Sequence, residues 1–451
     1  MTRSPHTPLP SKTILAITLA LATGNAFAQT ATETELARRL DQLATELANV
    51  KAQLAQMQQQ RVAPPAASAT PAAIAPAASA TAAPGAPPAV AMAMAMAAPA
   101  ASSEPATVLT SYGELNYNRP TRDGEKAQAD VRRFVLGFQH RFDAKTKVVT
   151  ELEVEHAVSS AGDPGEVEVE QAYVERQLTP TWAARAGLFL MPVGLLNENH
   201  EPTAFYGVER NFVETAIIPS TWREGGLQLV GNFDNGLTVQ AGVTTGFDLT
   251  KWDAASAEGK ESPLGSIHQE LSLAKAHDLS VFGALNWRGI PGLLLGGSVF
   301  TGNATQGQAV AQARVTLWDL HVRWQPGRWD FSTVYARGSI GNTAALNAAL
   351  IGNDNLIPKS FDGWYAQGAY KLWSHEDYDL SPFVRWEQFN TARSYAELGP
   401  GLTPTAGVTE RVVTLGANFQ VSPGIVLKAD YQTFRENKDA NRVNLGMGWN
   451  F

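Results

Sequence analysis

The chain reads as an all-β protein, a sixteen-stranded antiparallel transmembrane β-barrel preceded by a short α-helical coiled coil and an Ala/Pro-rich linker. Three observations point there. The last eleven residues put Val443, Leu445, Met447, Trp449 and Phe451 on one side of a period-2 alternation, and Asn444, Gly446, Gly448 and Asn450 on the other. A strand that is apolar on one face and polar on the other suits lipid outside and water inside. The same pattern recurs upstream from Val108. The connections between these runs alternate between short and long, which gathers the tight turns at one end of the molecule.

Bulk composition narrows the alternatives. With 451 residues, 44% of them hydrophobic, and a mean hydropathy of −0.16, the chain is too polar for a helical membrane protein. No stretch holds the ~20 consecutive apolar residues that a spanning helix needs. The chain has no cysteine, so disulfides and thiolate metal sites are excluded.

Residues 1–28 read as a secretory signal peptide. Arg3 and Lys12 precede the apolar run Thr13 to Thr23, and Ala26-Phe27-Ala28 supplies a cleavage box. Its removal leaves 33 basic against 43 acidic residues, a net charge near −10, which argues against nucleic acid as a partner. Within 29–60, Leu36, Leu40, Leu43, Leu47, Val50, Leu54 and Met57 are spaced alternately by four and three. That strict spacing is a heptad seam, and it predicts a coiled coil of about four heptads. Residues 61–106 are nearly all Ala, Pro, Ser and Thr, an extended linker with too few large apolar groups for a core.

The barrel occupies 107–451. Its predicted strands are 108–117, 130–142, 147–156, 166–178, 182–190, 226–233, 237–245, 279–287, 293–301, 310–324, 329–337, 361–373, 380–390, 410–420, 425–436 and 441–451. Short connections such as Asp234-Asn235-Gly236 carry turn residues, while 191–225, 246–278 and 338–360 are long. Trp182, Phe233, Trp287, Trp324, Trp329 and Trp373 all sit beside short turns, as an aromatic girdle would. One strand face is apolar, for example Phe134, Leu136, Phe138 and Phe142. The other is polar, with Arg133, Gln139 and Arg141.

At about sixteen strands a barrel is too wide for its wall side chains to fill, so the lumen holds water unless a loop narrows it. The longest connection, 191–225, is the natural candidate to fold inward. It carries Phe205, Tyr206, Phe212, Ile217, Ile218 and Trp222, more apolar mass than a solvated loop needs.

Three stretches carry a resemblance. Arg185-Ala-Gly-Leu-Phe-Leu-Met-Pro-Val-Gly194, His200-Glu-Pro-Thr-Ala-Phe-Tyr-Gly-Val-Glu-Arg210 and Ile218-Pro-Ser-Thr-Trp-Arg-Glu-Gly-Gly226 resemble the corresponding region of the phosphate-selective porin O and P family. The resemblance covers Val108 to Phe451. It implies a sixteen-stranded homotrimeric channel in the outer membrane, in contact with outer-membrane lipids and constricted by its third external loop.

On that reading the constriction residues are Glu198, His200, Glu201, Glu209, Arg210, Glu214, Arg223 and Glu224. The lumen wall carries Arg133, Arg141, Arg185, Arg323, Lys371, Arg385 and Lys428, faced by Glu151, Glu153, Glu155, Glu168, Glu170, Asp319, Asp330, Glu387 and Asp430. A mixed lumen with acidic excess predicts passive diffusion of small polar solutes and inorganic ions, since selectivity follows the sign of charge at the narrowest point. A phosphate- or anion-selective pore is the alternative. A further alternative is an envelope tether, in which the coiled coil reaches from the periplasm to the cell wall. Neither an enzyme nor a cofactor is expected: no Gly-x-Ser-x-Gly elbow or His-Glu-x-x-His pair occurs, and the histidines are scattered.

Overall fold

In the computed structural model the described residues are 106–308 and 311–451, together with Thr45. The expected signal peptide, coiled coil and nearly all of the linker lie outside them.

Most strands follow period-2 apolar patterning and stop within two residues of a Gly, Asp, Asn or Pro. In chain order they are β1 (Ala106–Pro120), β2 (Gln128–Arg141), β3 (Thr146–Glu155), β4 (Val167–Gln177), β5 (Trp182–Leu190), β6 (Arg223–Asn232), β7 (Leu237–Thr244) and β8 (Ser280–Ile290). There follow β9 (Leu293–Asn303), β10 (Arg314–Trp324), β11 (Trp329–Ile340), β12 (Ser360–Tyr370), β13 (Tyr378–Ser394), β14 (Glu410–Ser422), β15 (Ile425–Phe434) and β16 (Arg442–Asn450). A short piece, Trp373–His375, prolongs β12 along the same edge of β13. Every strand pairs antiparallel with its sequence neighbours, and β16 returns to pair with β1 from Tyr112↔Asn450 to Pro120↔Arg442. The sheet therefore closes. The expected strands match the observed ones to within four residues at every end.

The alternation sorts side chains as lipid and water would. On β16, Leu445 is 50% exposed on the outer face while its inward neighbour Asn444 is fully buried. Phe134, Leu136 and Phe138 on β2, Val281 and Leu285 on β8, and Leu415 on β14 likewise point outward and stay exposed. Phe233, Trp324, Trp329 and Trp373 form an exposed aromatic rim beside the short turns, with Trp329 packed on Phe331 and Tyr370. The pairing runs to the last residue, where Phe451 exchanges both backbone hydrogen bonds with Ser111, at 2.9 and 3.0 Å.

The interior departs from the uniformly polar lining that alternation suggests. On β8 to β12 the inward residues Phe282, Phe300, Leu317, Val334 and Phe361 are buried in one apolar cluster with Trp222, Phe247, Leu264 and Ile267. The half of those strands nearer the long connections is largely apolar on both faces, the pattern of a strand covered on both sides. The connection between β7 and β8, which was expected to be an external loop, folds into the bore to supply that cover.

At the seam Gly113 has no space for a side chain, because a Cβ there would lie 2.4 Å from the Trp449 ring and 2.9 Å from the Arg133 carbonyl. Gly113→Val should lower stability by about 1–3 kcal/mol, the usual cost of overpacking. The check is the guanidinium unfolding midpoint; a Trp449→Ala background should recover part of the loss, and an unchanged midpoint would contradict the crowding.

Candidate functional site

The segment 191–222 leaves β5 for the inside of the barrel because its first residues cannot continue the wall. Pro192 has no N–H to donate to a neighbouring strand. Gly194 turns the chain with φ +70°, and any side chain there would meet Glu214 Oε1 at 2.4 Å. Asn197 then ties the two ends of the segment together, donating to the Met191 and Trp222 carbonyls at 2.7 Å each and accepting from the Trp222 N–H at 2.7 Å.

Glu214 is the internal clasp. Its carboxylate accepts from the N–H groups of Leu195 and Leu196 at 2.5 and 2.7 Å, from Asn211 at 2.7 Å and from the Tyr365 hydroxyl on β12 at 3.1 Å. Burial nonetheless outweighs these donors and holds its pKa above the ordinary carboxylate value.

The tip reaches the opposite wall. Val208 N–H donates to Asp430 on β15 at 2.6 Å, Gly207 N–H to Asn418 on β14 at 3.2 Å and Phe212 N–H to Glu387 on β13 at 2.9 Å. Arg385 on β13 donates back to the carbonyls of Tyr206 and Glu209, and Asn118 on β1 donates to the Glu209 carboxylate at 2.9 Å. Phe212 stacks on Phe389, and the Lys428 ammonium lies 3.5 Å from the centre of the Phe205 ring. A segment rooted between β5 and β6 that bonds to β13, β14, β15 and β1 crosses the bore.

Nearer its root the segment is fastened by His200. Its Nδ1–H donates to the Asn197 carbonyl at 2.9 Å, while Nε2 lies 3.0 Å from Glu170 Oε1 and 2.6 Å from the Tyr112 hydroxyl. Glu170 reaches this position through a β-bulge. Glu151 pairs with Gln171 and Leu152 with Val169, so Glu170 is the extra residue and faces the lumen beside Gln171. Burial opposes charge on His200, but the Glu170 carboxylate prevails and raises the imidazole pKa above its ordinary value.

A second bulge, on β2, acts in the same way. Glu114 pairs with Arg133 and Leu115 with Val131, leaving Arg132 as the extra residue. Arg132 and Arg133 therefore both turn inward. With Arg210, Arg442, Glu114 and Glu209 they line a cavity of about 210 Å³ beside the segment.

Of the expected constriction residues, Glu198, His200, Glu201, Glu209, Arg210 and Glu214 lie on the segment, whereas Arg223 and Glu224 are the first residues of β6. Glu198 accepts from Gln240, and half-buried Glu201 sits near His200. Arg210 donates to Ser220 and Thr221, Arg223 pairs with Glu168 and Glu270, and Glu224 accepts from the Trp222 indole and Thr245.

The wall charges are mostly paired. Arg133 lies between Glu114 at 2.8 Å and Glu153 at 3.2 Å, Arg185 on Glu175, Arg323 on Asp330, Lys371 on Asp379 and Arg385 on Glu387. Glu151 accepts from Gln171, Asp319 holds His321, and half-buried Arg141 and Glu155 point inward. Tyr112, Glu114, Arg132, Tyr365 and Arg442 are site residues that alternation and charge counting did not single out. The Arg132-Arg133 doublet, two charges in succession on a strand, was the legible sign of a bulge.

An uncharacterized protein of Aquifex aeolicus (strain VF5) is 30% identical over 356 residues, covering 76% of this chain and 79% of its own length. The chain belongs to the same family as this Aquifex protein. No family model matches it. Among solved structures, Salmonella typhi OmpF, in a complex with daunomycin, aligns with a TM-score of 0.54 and 12% identity over 76% of this chain and 97% of its own. The outer membrane channel DcaP of Acinetobacter baumannii aligns at 0.49, with 14% identity over 77% and 97% of the two chains. The OmpF likeness is one of fold.

Two outcomes follow for the segment. Glu214→Ala strands the N–H groups of Leu195 and Leu196 and should loosen the segment by about 1–3 kcal/mol. Faster proteolysis within 191–222 with the barrel intact is the expected result; an unchanged rate would remove Glu214 as the clasp. For His200, a raised pKa means that the charged form's contribution to seating is complete below the ordinary value of about 6.5 and fades as pH rises through the raised value. Hydrogen exchange of 197–203 should therefore speed up with rising pH beyond the intrinsic base-catalysed trend in the native chain, and follow that trend alone in His200→Gln.

Proposed function

We propose that the chain is an outer-membrane porin through which small polar solutes and inorganic ions diffuse passively, with segment 191–222 as its constriction. The observation that carries this is a closed wall of sixteen strands, apolar outward, with a polar loop tip laid across its bore. In lipid a spanning sheet must have no unpaired edge, and closure meets that demand. On the short-turn side of the segment, Lys147, Glu175, Arg185, Arg323 and Lys371 keep 15–35% of their side-chain surface exposed, the environment of a wetted vestibule. Their pairing in opposite charges supports weak selectivity, because a neutralised wall projects little net field along the axis.

The protein acts as a channel and not as an enzyme, and it works as a homotrimer in the outer membrane, with its amino-terminal coiled coil in the periplasm. The heptad seam supports the coil, and the family resemblance read from 185–226 supports the trimer. Contact of that coil with the cell wall is the tether reading, and it is compatible with transport.

A second reading has a specific observation in its favour. The cavity beside the segment sets Arg132, Arg133, Arg210 and Arg442 against Glu114 and Glu209, a local cationic excess. That lining supports an anion-selective pore and accords with the resemblance to phosphate-selective porins.

The deciding measurement is the reversal potential of the purified full chain in a planar bilayer under a salt gradient, repeated with inorganic phosphate. A weakly selective current without phosphate block is expected. Strong anion preference with block would replace general diffusion by the second reading, and no conductance at all would overturn the porin reading.

A further inference from the structure

In most of the bore the inner wall is polar, yet on β8 to β12 the half nearer the long connections is largely apolar. Phe282, Phe300, Leu317, Val334, Ala336 and Phe361 point inward and are buried, while Val281, Val299, Leu320 and Trp364 on the same strands point outward and are exposed. An inner wall that faces water has no use for this lining, so something must cover it. The cover comes from two segments. The first, 191–222, contributes Ile217, Ile218 and Trp222; the second, 245–279 between β7 and β8, contributes Phe247, Leu264 and Ile267. Trp222 stacks on Phe247 at 5.1 Å between ring centres and meets Phe300 edge-on at 4.7 Å, so the two segments and the wall share one aromatic joint.

The second segment is also satisfied in its polar groups. Leu249 N–H donates to the Ala304 carbonyl at 2.7 Å, and Asp248 N–H to that of Ile267 at 2.9 Å. The Trp252 indole donates to the Asn355 carbonyl at 2.9 Å, and Asn355 returns a bond to Ala254 at 3.1 Å. Gln306 holds the Phe247 carbonyl at 3.0 Å. These are the marks of a seated plug, since a loop that swings into solvent has no need for buried partners on two other connections.

We infer that segment 245–279 is a second, permanently seated half of the constriction, and that it sets the size limit jointly with 191–222. It fills the β8 to β12 sector with apolar packing, so solutes pass only along the sector lined by β13 to β16 and β1 to β4. There the tip of 191–222 is held by hydrogen bonds to charged wall side chains and its root by the His200–Glu170 pair, which pH and salt can alter. The apolar half responds to neither. Any adjustment of the passage therefore belongs to the polar side alone. This inference rests on the porin reading, and the experiment separates the two.

The test compares the native chain with a variant in which 248–267 is replaced by a short Gly/Ser turn, and with the full-length double substitution Leu264→Asp, Ile267→Asp, which unseats the plug without shortening it. Heat-modifiable gel mobility identifies which variant retains a closed barrel. Single-channel conductance and the entry of uncharged oligosaccharides into liposomes are then read. Conductance should rise about two-fold or more, with larger sugars admitted, because the open cross-section of the bore grows. A native chain that conducts, beside a closed-barrel variant with the same conductance and sugar cutoff, would overturn the plug and leave the porin reading standing. A silent native chain beside a conducting variant would support the plug and overturn passive diffusion through the native pore. Silence in both would overturn both.

Discussion

A backbone amide facing hydrocarbon has no water to bond with, and each one left unpaired costs several kcal/mol. A sheet that spans lipid must therefore have no edge, and every other feature of this molecule follows from that demand. Sixteen antiparallel strands meet it by bringing β16 back onto β1, with register kept as far as Phe451 and Ser111. Since the apolar outer face gains little by moving from water-poor lipid into contact with itself, closure and interior packing specify the fold, and Gly113 beneath Trp449 shows how tightly the seam is fitted.

Closure creates the second problem, a bore wider than its own side chains can fill. Two solutions share the space. On one side an apolar cluster joins β8 to β12 to both inward segments; on the other, loop N–H groups are caught by carboxylate and amide side chains of β13, β14 and β15. The same loop obeys both regimes along its length, packing 217–222 into the apolar cluster and hydrogen-bonding the backbone of 206–212 to polar wall groups. Two β-bulges adjust the wall to it, one presenting Glu170 to His200 and the other turning Arg132 inward next to Arg133.

The outer half of this design was legible in the sequence because lipid imposes a simple rule. An apolar residue at every second position is demanded on all sixteen strands, and Val443 to Phe451 state it as openly as any. The inward course of 191–222 could also be read, since Phe205, Tyr206, Phe212 and Trp222 are too costly for solvent. The inner faces were less legible. Val299-Phe300 on β9 and Ser332 to Ala336 on β11 interrupt the polar alternation, but a short apolar doublet does not say what covers it, and the partner 245–279 is distant in sequence. The bulges left little sign beyond the Arg132-Arg133 doublet, for a different reason. Strict alternation through Arg133 sends Arg132 to lipid, and only one extra residue against β1 reverses that.

Charge counting was the weakest guide, for a physical reason. A carboxylate influences a passing ion through the field it projects into water, and that field largely vanishes when a guanidinium or a backbone N–H already occupies it. Glu387 and Asp430 are used to hold the loop, and Glu114 and Glu153 to sandwich Arg133. The excess of acidic residues in the sequence is therefore not the charge a solute meets. What it meets is set by the groups left over around the cavity, and there a bulge has added an arginine that no tally of strand faces would have placed in the lumen.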